Sequence, residues 1–88
     1  MKRSDTLFAQ LVKTHNRNVG KTVHVDTYLL PLFEKGFITK NEDDSFYTAS
    51  FNAYKSKLKK HGFMNYEGSS MFVEVLRRIP AKIKPKNL

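Results

Sequence analysis

The stretch SFNAYKSKLKKHGFMNYEGSSMFVEVLRRI, residues 50–79, decides how this chain is read. At about 100° per residue, Phe51, Tyr54 and Leu58 fall on one side of a helix, with His61 adjacent, so they form a stripe to be buried. Asn52, Ala53, Ser56, Lys59 and Lys60 point the other way, and Lys55 and Lys57 flank the stripe. No Asp or Glu occurs between Ser45 and Gly62, whereas a merely solvated helix commonly mixes Glu with Lys in stabilising pairs. Gly62 ends the helix. Residues 63–66 and 71–76 then read as two strands, with Met71, Val73 and Val75 alternating against Phe72, Glu74 and Leu76. Glu67, Gly68, Ser69 and Ser70 supply the turn, and Gly68 is the natural position for a positive backbone angle.

Working back toward the N-terminus, residues 4–18 repeat Leu7, Phe8, Leu11, Val12 and His15 at helical spacing, with Ser4 or Asp5 as a cap and Gly20 beyond the end. Val23 and Val25 alternate with polar neighbours, which predicts a brief strand at 22–25. Asp26 can cap a second helix bearing Leu29, Leu30, Leu32 and Phe33. Pro31 then implies either a kink or a start near Leu30. Gly36 followed by Phe37 and Ile38 reads as a helix stop with an apolar contact folded back. The polar stretch KNEDDS, residues 40–45, reads as an exposed loop, and Asp44, Ser45 or Thr48 can cap the third helix. Its carboxylates lack the further ligands and the glycine of a calcium loop, so no metal is assigned. Toward the C-terminus, RRIPAKIKPKNL places five basic residues and two prolines in twelve positions, which reads as a flexible or loosely docked tail. The expected organisation is one domain over residues 1–78 and a basic tail over 79–88.

Eighty-eight residues suit a single core, and eleven aromatics supply apolar surface for it without a metal or disulfide. The chain has no cysteine, no apolar run approaching the roughly 18 residues that span a bilayer and no secretory leader, which leads to the expectation of a cytoplasmic protein with no membrane partner. The net charge of +8 is unevenly placed. Residues 1–54 hold seven basic and six acidic side chains, against nine and two in residues 55–88. A positive field on one side of a small fold concentrates polyanions there and makes association salt-sensitive.

The order of helix, short strand, helix, loop, helix and hairpin resembles the winged helix-turn-helix domains, over roughly residues 4–78 and above all over the stretch 50–79. The fold class expected is therefore α+β, with three helices followed by a β-hairpin wing. The resemblance implies a third helix in the major groove of DNA, carried onto Ser50, Asn52, Ala53, Ser56, Lys57 and Lys60, and a wing near Asn65, Gly68, Ser69 and Ser70. It departs from the family's usual form in Glu67 at the wing tip and in Pro31. Independently of the family, short polar side chains such as Asn52 and Ser56 can reach base edges. Lys55, Lys57, Lys59, Lys60, Arg77 and Arg78 are candidates for phosphate contacts, about four to eight of which would give steep salt dependence.

The expected function is a DNA-binding transcriptional regulator or mobile-element accessory factor, with double-stranded DNA as partner and a homodimer as the means of lengthening the site. The alternative is an inhibitor or adaptor that meets a protein through its basic face. Single-stranded RNA is a secondary expectation, for which Tyr47 and Tyr66 are the candidate stacking platforms while the other aromatics are assigned to the core. No enzyme and no cofactor is expected. His15, His24 and His61 lie in three elements without paired spacing, and Gly20-Lys21-Thr22 lacks the upstream glycine of a phosphate loop, position 15 being His15.

Overall fold

In the computed structural model, which describes residues 3–88 and side chains from Leu7 onward, the chain order is α1 (Arg3–Arg17), β1 (Thr22–His24), α2 (Asp26–Glu34), α3 (Ala49–Lys60), β2 (Met64–Asn65), β3 (Phe72–Val75) and a final 3-10 turn (Pro85–Asn87). This is an α+β domain of three helices on one antiparallel sheet. Ser4 and Asp5 fall inside α1, so neither precedes it as a cap, and their side chains lie outside the described residues.

The alternation holds as a burial pattern over 72–76, where Val73 and Val75 face the core while Phe72, Glu74 and Leu76 face out; Met71, grouped by spacing with the two valines, lies before β3 and is 52% exposed. The sheet order is β1-β3-β2, so β3 is central and the hairpin gains a third strand from the region before α2. Thr22 pairs with Glu74 and His24 with Phe72 on one side, and Met64 pairs with Val75 on the other. The N–H of Gly20 donates to Val75 at 2.8 Å, and that of Val75 to Lys21 at 2.9 Å, which extends the β1 pairing to the end of α1.

Two helices end alike. In α2 the N–H of Phe37 reaches Leu32 and that of Gly36 reaches Phe33; in α3 Phe63 reaches Leu58 and Gly62 reaches Lys59. Gly36 and Gly62 have φ of 80° and 79°, the left-handed geometry this stop requires, and each following Phe folds back over the last turn. Pro31 lies inside α2 without ending it. In so short a helix it removes one internal bond, and burial of Tyr28, Leu29 and Leu32 on either side holds the remaining turns. Lys40 and Phe46 form a bridge that closes the acidic loop as a small hairpin, whose Asp44 takes φ 66°, and Phe46 packs edge-on against Phe33.

The core runs from Leu7, Phe8 and Leu11 through Tyr28 and Leu32 to Phe51, Leu58, Val73 and Ile79. His15 is fully buried in it. Its Nε2 donates to the Arg77 carbonyl at 2.8 Å, which fixes the tautomer, and its Nδ1 accepts from the Tyr28 hydroxyl at 2.9 Å. Burial lowers the His15 pKa and raises that of Tyr28, so both stay neutral.

The chain after β3 is not a loose tail from residue 79. Ile79 is 1% exposed, and its N–H and C=O are both held by the Asn16 side chain, at 2.8 and 3.2 Å. Ile83 and Leu88 pack partly against the core. Of the two expectations for this segment, flexible or docked, the contacts are those of a docked one: one isoleucine and one amide anchor a Pro-rich basic stretch.

Candidate nucleic-acid interface

Helix α3 buries Phe51, Tyr54, Lys55 and Leu58, the i, i+3, i+4, i+7 set of one face. That leaves Ser50, Asn52, Ala53, Ser56, Lys57, Lys59 and Lys60 exposed. Thr48 precedes the helix without capping an N–H; its Oγ1 instead accepts from Asn52 Nδ2 at 3.1 Å, which orients the Asn52 amide on the outer surface. With no acidic residue in the first turn and Lys57, Lys59 and Lys60 in the last, the face is cationic from its middle to its end.

Six cations were expected to be available for phosphate, and the structure divides them. Lys55 is only 9% exposed. Its Nζ donates to the Ser70 carbonyl at 3.2 Å and lies 4.2 Å from the centre of the Tyr66 ring. Lys59 reaches the Tyr66 carbonyl at 2.6 Å and lies 4.5 Å from the same ring. Both therefore clasp the 66–71 turn to α3, and the long side chain that follows the buried stripe finds its partner in the turn rather than in solvent. Burial, and then the neighbouring Lys59, pull the Lys55 pKa below the ordinary lysine range. Arg77 is also occupied, donating to the His61 carbonyl at 2.9 Å with its guanidinium 4.2 Å from the Phe63 ring centre. It thereby neutralises the carbonyl end of α3. Lys57, Lys60 and Arg78 are exposed, and no hydrogen bond or ion pair among the described residues engages their side chains.

Between α3 and the turn lies a half-open cleft of 370 Å³. Val25, Leu29, Phe51 and Met71 form its apolar lining, Thr48, Asn52, Ser56 and Ser69 its polar rim, and Lys55 and Tyr66 its wall. Sequence periodicity gives no sign of it, because the lining comes from three segments that meet only in the fold. Ser69 and Gly68 sit at the exposed tip of the turn beside α3.

The remaining candidates separate. Tyr47 is 56% exposed, as expected, but Tyr66 is half-buried beneath the two lysines. Phe72, expected in the core, is 57% exposed with its ring edge-on to His24, because Val73 and Val75 occupy the inner face of β3 and strand parity puts Phe72 outside. The Asp43 carboxylate is spent on the N–H and hydroxyl of Ser45, and these bonds lower its pKa. Among the described residues no helix is long and apolar enough to cross a membrane. Comparison with family models, curated proteins and solved structures returned no match.

Proposed function

We propose that this chain is a DNA-binding domain of the winged helix-turn-helix type that lays α3 in the major groove of a duplex. The observation that carries the reading is the exposed, acid-free face of α3, on which Asn52, Ala53 and Ser56 are short enough to approach base edges while Lys57 and Lys60 lie within reach of phosphates. The β2–β3 turn is clasped beside that helix, where a wing would lie, and exposed Arg78 adds a further phosphate contact. A second copy would lengthen the recognised site, as suits a transcriptional regulator or mobile-element accessory factor.

The test is fluorescence anisotropy with duplexes of random and selected sequence at rising salt. Binding weakens with a log–log slope of about 0.9 per neutralised phosphate, and the joint change of Lys57 and Lys60 to Glu lowers both affinity and slope on every sequence alike. Asn52→Ala relaxes preference among sites instead. Absence of binding at the lowest salt would end this reading in favour of a protein partner for the basic face.

A further inference from the structure

We infer that the cleft between α3 and the 66–71 turn is a binding site for a small organic anion with a flat apolar body, of the aromatic carboxylate class. Its volume of 370 Å³ lies within the range of about 300–1,000 Å³ typical of small-molecule sites. Leu29, Phe51 and Met71 offer apolar surface to the body of such a ligand, and Thr48, Ser56 and Ser69 offer hydroxyls around the mouth.

Charge identifies the head group. Lys55 lines the cleft at 9% exposure, with Lys59 close enough to lower its pKa, and the cleft is lined by no carboxylate. Each ammonium carries three N–H donors, and a single carbonyl takes one from each: Ser70 from Lys55 and Tyr66 from Lys59. Lys55 at the cleft wall is answered only by a carbonyl dipole and the Tyr66 ring, and Lys59, outside the lining, sits 4.5 Å from the centre of that same ring. That leaves an unneutralised charge at the wall, where partial desolvation makes a bound carboxylate count for more than it would in water. Asn52 and Ser56 belong both to the cleft rim and to the outer face of α3, so a filled cleft and a bound duplex would compete. The site itself does not depend on the DNA reading, because its test contains no DNA.

The full chain, isotope-labelled, is titrated with naphthoate and separately with naphthamide, which keeps the shape and removes the charge. Saturable shifts of the Leu29 and Met71 methyls and the Tyr66 ring are expected with naphthoate, and the amide should bind about tenfold more weakly. Lys55→Met should erase the difference between acid and amide. Because that change could also release the turn, Ser56→Phe serves as the second variant: Ser56 lines the cleft but takes no part in the hydrogen bonds that hold the turn, so a larger side chain there should fill the space and block both ligands. Failure of naphthoate to shift these residues, equal affinity for the amide, or binding that survives Ser56→Phe would each overturn the proposal.

Discussion

Where α1, α2 and the chain after β3 meet, the joining groups are neutral and built around a fully buried ring: His15 between Tyr28 and the Arg77 carbonyl, with half-buried Asn16 reciprocally bonded to Ile79. Where α3 meets the 66–71 turn they are cationic and partly wet, with Lys55 and Lys59 on one tyrosine ring and two carbonyls. No buried side-chain nitrogen or oxygen among the described residues lacks a partner, and in the first seam the His15 and Asn16 side chains are each held at two atoms. Such a network rigidifies the scaffold and carries no charge to offer. The second seam holds a buried ammonium, which is costly to desolvate unless its donors find partners, as those of Lys55 do in the Ser70 carbonyl and the Tyr66 ring. Its lysines place positive potential on the side of the molecule where Lys57 and Lys60 already point outward, which ties the clasp to the proposed anionic partners.

The comparison can be broken most forcefully at the neutral seam. Ile79→Ala should cost about 2–5 kcal/mol in denaturant unfolding, the ordinary loss for a truncated core side chain; a loss near zero would restore the picture of a loose tail. Tyr28→Phe strands His15 Nδ1 without a donor and should cost about 1–3 kcal/mol, measurable by thermal melting. A pH series sharpens the same seam. His15 has a folded pKa below its ordinary value of 6.5 because burial disfavours its charged form, so the unfolded chain binds the proton more readily and stability should fall as pH drops through about 6.5 and below. His15→Gln keeps a donor for the Arg77 carbonyl and should flatten that part of the melting curve; an unchanged slope would show that His15 does not carry the effect. Smallest is Tyr66→Leu, which removes the ring under both ammoniums and should cost about 1 kcal/mol or less. A loss as large as that of Ile79→Ala would mean that the two seams do not differ in kind.

Much of this architecture could be read from local pattern. The spacing of Phe51, Tyr54 and Leu58 located the buried side of α3, the alternation around Val73 and Val75 located β3, and Gly36 and Gly62 marked two helix ends by chemistry that acts within six residues. The rest depended on partners remote in the chain. Asn16 and Ile79 are 63 positions apart and neither carries a local signature of the other. The third strand of the sheet was visible as an element at 22–25, but its place beside β3 was not. Lys55 stood at the border between stripe and surface, where periodicity cannot say whether a long side chain leaves the protein or lies along it. Its partner Tyr66 is in reach only after the turn has folded. Phe72 was assigned inward by size, and strand parity overruled size.

The central claim, that the exposed side of α3 is the surface that meets DNA, is tested most directly by mapping amide shifts of the labelled chain on adding a short duplex at low salt. Perturbations concentrated at Ser50, Asn52, Ala53, Ser56, Lys57 and Lys60, fading as salt is raised, are the expected result. A footprint on the outer sheet face around Phe72 and Leu76, with α3 undisturbed, would contradict it.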